Sequence, residues 1–315
     1  MIQYIFKKFF YALAIFITVI IISFFAVNFI PGDPVSAMFG QRGSSQMQRA
    51  IIEKELGLDK SIGVQFQQYL KKIFLKFDFG NSYRGENPKA LSVFTESFVI
   101  TFQLAFFSCL IGSLMGIFLG TLSTLFNDNK KSTFLEFYAI LMISTPTFIV
   151  GYLLQIYLAT NRGIPIFEIS GWDNLRCKVL PILTLSLIIS GSVLKTTQTN
   201  MKECLEQPYI KTAYAKGLSK KTIIFKHALK NALIPIISHI GLIFSFLIGG
   251  SIVTEKIFNI RGVGSVMLDS FEERNFPVLR CCIILLALFV AVFNLCLDLI
   301  YFWLNPKLNK NTKNQ

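Results

Sequence analysis

The chain has 315 residues, of which 53% are hydrophobic and only 16% charged, with a formal net charge of +13. A soluble domain normally carries about 25% charged residues, and the deficit here lies in long stretches without an ionisable side chain, several of them reaching the ~20 residues that cross a hydrocarbon layer. This excludes an ordinary soluble domain, and because the basic residues flank apolar runs instead of forming one face, it speaks against nucleic acid as a partner.

The first apolar run follows Lys7-Lys8 and extends from Phe9 to Gly32, 24 uncharged residues. That is longer than a signal-peptide core, and Pro31-Gly32-Asp33-Pro34 is no small-residue cleavage site, so a retained first span over Phe9–Ile30 is expected. The segment up to Glu96 mixes both signs of charge. Gln46 to Leu56 has helical spacing, with Gly57 as its stop. A second stretch places Phe66, Tyr69, Leu70, Ile73, Phe74 and Phe77 on one stripe, with Gln67, Gln68, Lys71, Lys72 and Lys76 elsewhere. Such an amphipathic helix lies along the membrane or covers the bundle, either packing on its own protein or docking an external partner.

Five further spans follow: Phe98–Phe126, Phe137–Thr160, Val179–Leu194, Ala232–Val253 and Cys281–Trp303. The fourth is the shortest, 16 residues between Lys178 and Lys195. Snorkelling lysines can extend its reach, and a tilted or partly re-entrant element is the alternative. Gly112, Gly116 and Gly120 recur every four residues in the second span, and Gly241, Ser245 and Gly249 in the fifth, so each set gives a small-residue face for close helix packing. Pro146 and Pro181 each remove one helical hydrogen bond, which either lines a cavity or bends a packed helix.

An even number of spans puts both termini on one side. Lys7-Lys8, Lys130-Lys131, the Lys195–Lys230 stretch with its eight lysines, and Lys307, Lys310 and Lys313 then share that side, which the positive-inside rule makes cytoplasmic. Ionisable residues inside the spans are scarce: His239, and Asp298 near the end of the sixth, where Tyr301, a lysine or water can satisfy it. This scarcity argues against a proton- or sodium-driven carrier. Cys109, Cys177, Cys204, Cys281, Cys282 and Cys296 show neither metal-ligand spacing nor a Cys-x-x-Cys pair, and read as small apolar residues. No catalytic constellation or phosphate loop is found; Gly262-Val-Gly264 lacks the lysine and helix that such a loop needs.

The stretch Gln198–Asn231 is too helical in pattern for a slack linker. Pro208 suits a first helical turn, Tyr209 to Lys216 continue it, Gly217 permits a C-terminal turn, and Ser219 can cap a return helix through Ile223, Phe225, His227 and Leu229 to Pro235. The small residues Ala213, Ala215 and Gly217 fall at the turn. A rigid hairpin of this kind either seats in a groove on a soluble partner, with Ala213 and Ala215 permitting close docking, or is an ordinary cytosolic turn. Its lysines suit an acidic surface or anionic membrane lipid.

Tyr209-Ile-Lys-Thr-Ala-Tyr-Ala-Lys-Gly-Leu-Ser219, followed by Lys226-His-Ala-Leu-Lys-Asn-Ala-Leu-Ile-Pro235, resembles the cytoplasmic EAA-type loop of the dipeptide/oligopeptide/nickel branch of ABC-importer permeases. Phe29-Ile-Pro-Gly-Asp-Pro34, Leu56-Gly-Leu-Asp59, Phe79-Gly-Asn-Ser82, Pro146-Thr-Phe148, Thr254-Glu-Lys-Ile-Phe258 with Gly262-Val-Gly264, and Asp298 with Tyr301 and Pro306 are similar to the B-type permease of that family, in order and spacing, over nearly the whole chain. The chain departs from the pattern at Lys195, Gln198 and Tyr214, where arginines are usual, at Pro208 for an acidic residue, at Arg261 for proline and at Asn275 for aspartate.

The resemblance implies an all-α integral membrane protein of six transmembrane helices, the type I importer fold, with a cytoplasmic coupling hairpin between helices 4 and 5. It divides the chain into residues 1–96 (first helix and long extracytoplasmic segment), 97–307 (a five-helix core containing the loop 198–231) and 308–315 (cytoplasmic tail). The ATPase-contacting residues it implies are Pro208, Tyr209, Thr212, Ala213, Tyr214, Ala215, Lys216, Gly217, Leu218 and Ser219. It further implies a homologous C-type permease, two cytosolic ATPases that hold ATP and Mg, an extracytoplasmic peptide-binding protein, and a bacterial inner-membrane location. The chain itself is then not an enzyme and binds no cofactor or metal. Oligopeptide is the expected substrate, with dipeptide or a nickel or other metal chelate as alternatives.

Overall fold

A computed structural model describes residues 2–29, 35, 46–57, 59–84, 86–126, 130–159 and 166–304. The Pro31–Pro34 break, Leu58, and the tail with Pro306 lie outside them. In chain order the helices are α1 (Ile2–Phe29), α2 (Gln46–Leu56), α3 (Ile62–Lys76), α4 (Ala90–Phe126), α5 (Lys130–Ser144), α6 (Thr147–Leu158), α7 (Leu175–Leu205), α8 (Pro208–Ala215), α9 (Lys220–Gly250), α10 (Ile252–Ile257), α11 (Val263–Glu272) and α12 (Phe276–Leu304). Among the described residues there is no strand, only an isolated bridge between Asn81 and Lys89.

α1, α4, α7, α9 and α12 are each long and apolar enough to cross a membrane. The third expected span is divided: α5 and α6 meet at 104°. Pro146 explains the break, because its ring excludes residue 145 from helical geometry and it has no N–H for the ladder. The fourth differs in the other direction. α7 is a continuous helix of 31 residues, so Lys178 and Lys195 lie within it and do not bound it. Pro181 sits in its second turn and removes one ladder bond there without ending the helix, and Thr197, Gln198 and Met201 remain buried beyond Lys195. Pro235 likewise lies inside α9 and does not end it.

The bundle is inside-out relative to a soluble protein. Phe106, Phe118, Phe134 and Phe246 are exposed, whereas Thr101, Ser108, Thr121, Ser123, Ser186, Ser190 and Thr197 are buried. Lipid is as apolar as leucine, so a helix gains little by hiding leucine from it; small and hydroxylated residues gather where helices meet. α4 and α7 meet most closely. A Cβ on Gly112 would lie 2.7 Å from the Ser186 carbonyl oxygen, on Gly116 2.6 Å from the Val193 side chain, and on Gly120 2.7 Å from that of Thr197. α9 meets α12 through Gly241, where a Cβ would reach Leu297 at 2.6 Å, and through Ser245, whose Oγ donates to Asn294 Oδ1 at 2.9 Å. Gly249 faces open space in this chain, with nothing within 4 Å of a Cβ.

The amphipathic helix α3 packs on its own protein. Phe66 and Tyr69 pack with tilted rings against Phe24 of α1, with ring centroids 5.1 and 5.2 Å apart. The two ends of the bundle are defined by cross-chain contacts. Lys8 Nζ lies 2.8 Å from Asp298, placing the start of α1 beside the last turns of α12. Lys220 Nζ donates to Leu125 O at 2.9 Å, joining the end of α4 to the start of α9. The chain's two terminal helices and the 208–219 hairpin therefore share one end.

Candidate functional site

At the hairpin end, α8 begins on Pro208 at its first helical position, where a missing N–H leaves nothing unsatisfied. It ends in a Schellman motif: Leu218 N–H donates to Ala213 O (3.3 Å) and Gly217 N–H to Tyr214 O (2.9 Å). Gly217 has φ +76° with nothing within 4 Å of a Cβ, so glycine is needed here for backbone conformation and not for close approach. Ser219 Oγ then accepts from Thr222 N–H at 3.3 Å and caps α9. The first turns of α9 are a π-helical segment, Ile223–Ala228, before α-geometry resumes.

The hairpin is anchored rather than loose. Ile210 and Ala213 are buried on one side of α8, and Ile223, Ile224 and Ala228 on the facing segment. Asn231 Nδ2 donates to the Tyr209 hydroxyl at 3.1 Å. Partial burial raises the pKa of that hydroxyl, opposed by the Asn231 bond. Lys220 caps the last carbonyls of α4, the favourable end of a helix for a cation. Tyr209, Tyr214, Ala215, Lys216 and Gly217 remain exposed, as do Pro208, Thr212 and Ser219, while Leu218 is half-buried. Ala213 is a correction to the sequence reading: it faces its own chain, so it and Ala215 are not equivalent docking positions. The helical period explains this, since residues 210 and 213 share a face that 215 does not.

Behind the hairpin, Gln198 occupies a position where arginine resembles the family pattern. Its Nε2 donates to Glu136 and, at 3.1 Å, to Ser123 Oγ, while Lys202 stands 3.7 Å from the same carboxylate. The neutral amide thus ties α7 to α4 and α5 where a cation would otherwise meet Glu136.

The opposite end holds a residue that the sequence reading did not single out. Glu255 is fully buried. Its Oε1 accepts from Thr101 Oγ1 (2.8 Å) and Ser251 Oγ (2.7 Å), and its Oε2 from Ser265 N–H (2.8 Å). Thr101 Oγ1 in turn accepts from Val263 N–H at 2.8 Å. The carboxylate lies at the N-terminus of α11, where oriented amides favour negative charge. Gly262 and Gly264 make room for it, for a Cβ on either would fall 2.4 and 3.0 Å from the carboxyl group. Past the other end of α11, Asn275 donates to Ser82 Oγ (2.8 Å) and accepts from Tyr83 N–H (3.0 Å), joining the Phe79–Ser82 motif to the start of α12. The signal available in the sequence was an acidic residue just past an apolar span, in Thr254-Glu-Lys-Ile-Phe258, followed by Gly262 and Gly264.

All six cysteines are free thiols, and among the described residues no three His, Cys, Asp or Glu side chains gather as metal ligands.

A bundle of apolar helices with a rigid external hairpin between two of its spans is the architecture of an importer permease. The fold is similar to that of an inward-facing methionine ABC transporter (TM-score 0.59, 16% identity, covering 68% of this chain and 97% of that one) and of an amino acid ABC transporter (TM-score 0.54, 18% identity, 67% and 94%). Residues 112–310 match the family of binding-protein-dependent transport system inner membrane components, and residues 1–105 match its N-terminal counterpart. Over its length the chain is 31% identical to the glutathione transport system permease protein GsiC of Salmonella typhimurium (97% of this chain, 98% of the relative). It is 32% identical to the dipeptide transport system permease protein DppB of Haemophilus influenzae (98% and 99%). The chain belongs to the family of inner-membrane permease components of binding-protein-dependent transport systems.

Proposed function

We propose that this chain is one permease subunit of an ATP-driven peptide importer, with its termini and hairpin in the cytoplasm. The reading is carried by the hairpin: a capped, anchored elbow at the joint of two spans, with its outer surface uncovered, in a chain whose relatives at full length carry dipeptide and glutathione. Glutathione is itself a tripeptide, so substrate length extends to at least three residues among those relatives, in keeping with the oligopeptide expectation.

In this mechanism a second, homologous permease completes the path, and two ATPases bind beneath the pair, one of them seating its groove on this chain's exposed hairpin residues. ATP and Mg act on those subunits, and this chain does no bond chemistry. Closure of the ATPases moves α8. Because Ile210 and Ala213 are packed on the π segment, the displacement passes into α9, a rod of 31 residues and roughly 46 Å at 1.5 Å per residue. A binding protein delivers peptide at the far end, where the Glu255 network ties α10, directly after α9, to α4 and α11. Alternation between two packed states, each favoured by nucleotide or ligand, then moves the peptide inward.

The test is reconstitution of the co-expressed complex in liposomes with labelled di-, tri- and pentaalanine. Uptake should require ATP and the binding protein, and should stop when the ATPases are omitted. Uptake driven by an ion gradient without ATPases contradicts the reading.

A further inference from the structure

A groove of about 540 Å³ opens between α9 and α12, within the ~300–1,000 Å³ usual for small-ligand sites. Its walls include apolar Leu242 and Leu297, and its polar lining comprises Ser238, His239, Asn294, Asp298 and Tyr301. Hydroxyls elsewhere in the spans mostly bond back to their own helix, as Thr121 does to Ile117 O and Thr124 to Gly120 O. Here polar groups of several helices converge: Ser192 of α7 on His239 at 3.0 Å, Ser245 on Asn294, and Lys8 of α1 on Asp298.

The ion pair is the informative member. Its side chains are 37% and 38% exposed, so the pair is partly solvated and contributes little to holding the helices together. A carboxylate in that state can exchange one ammonium partner for another. A peptide with free ends presents an α-ammonium, a chain of amides and side chains of any kind. Spaced donors and acceptors on an apolar wall, with one exchangeable carboxylate, suit that common chemistry without selecting side chains.

Resting on the peptide-import reading above, we propose that this groove forms part of the translocation path toward the hairpin end, and that Asp298 exchanges Lys8 for the α-ammonium of the passing peptide. His239 and Asn294 serve the peptide's amides.

The test uses the reconstituted complex and the labelled alanine peptide that is taken up fastest. With photoreactive benzoylphenylalanine in place of Leu242, illumination should yield an adduct between this chain and the peptide, suppressed by excess unlabelled peptide. Asp298→Asn should lower uptake roughly tenfold, the scale of one hydrogen bond to a charged group, at unchanged complex yield. Lys8→Ala, which frees the carboxylate, should retain uptake. Equal losses in Asp298→Asn and Lys8→Ala would mean that the pair only anchors α1, and would overturn the proposal, as would adducts formed only with the partner permease or lipid and indifferent to peptide. Failure of the unaltered complex to take up any peptide refutes the import reading itself; uptake with neither adduct nor Asp298 effect refutes this proposal alone.

Discussion

The two ends of the bundle are built on opposite principles. The hairpin itself is made from short-range devices: a proline that starts α8, a glycine with φ +76° that closes it, and a serine that caps α9. Its outer face is open. The far end is made from long-range polar contacts, with Glu255 bonded to Thr101 at a sequence separation of 154 and Asn275 to Ser82 at 193. A surface that must be grasped by a partner needs local rigidity and exposure. An end that must hold several helices in register relies on a buried carboxylate whose bonds are all satisfied, because any one left unmade in an apolar interior is expensive.

The largest expected effect follows from breaking the far end. Glu255→Leu leaves Ser265 N–H and two hydroxyls without their acceptor and should cost about 3 kcal/mol or more, read as a lower unfolding temperature in detergent. Gly262→Ala should approach it, because the new methyl overlaps the carboxylate. Next comes the helix seam. Gly116→Val drives a branched side chain into Val193 and the Ser190 carbonyl, with an overpacking penalty of about 1–3 kcal/mol and reduced complex yield on size exclusion.

Smaller effects on stability sharpen the contrast at the hairpin. Ala213→Trp should lower complex yield, since Ala213 is 7% exposed, whereas Ala215→Trp should leave yield intact and weaken ATPase attachment in co-purification. Lys220→Met should be the mildest, removing a helix C-terminal cation worth about 0.3–1 kcal/mol, visible only as a slight shift in melting. A hairpin variant that unfolds the complex as severely as Glu255→Leu breaks the comparison.

Legibility followed the same division. The hairpin could be read because each of its signals acts within a few residues. Span positions are readable from uninterrupted hydropathy, and the close approach at Gly112, Gly116 and Gly120 from their period of four, whereas Gly249 of the second set meets nothing in this chain. The fourth span runs beyond the apolar stretch between Lys178 and Lys195, because helical hydrogen bonding continues past a lysine whose charged end reaches polar surroundings. The inward turn of Ala213 depends on which face of α8 meets the π segment, which no local pattern states. Glu255 stands in plain view as a charged letter, but its partners come from α4, Ser251 just past α9 and the start of α11, and only folding assembles them.

The central claim, that the hairpin carries motion from the ATPases into the spans, is tested most directly by ATP hydrolysis and peptide uptake measured together in liposomes holding Gly217→Val. A β-branched residue at φ +76° destabilises that turn by about 1–2 kcal/mol or more while leaving the spans untouched. The account predicts normal insertion, with binding-protein-stimulated hydrolysis and uptake both reduced severalfold. Full stimulation with full uptake would contradict it.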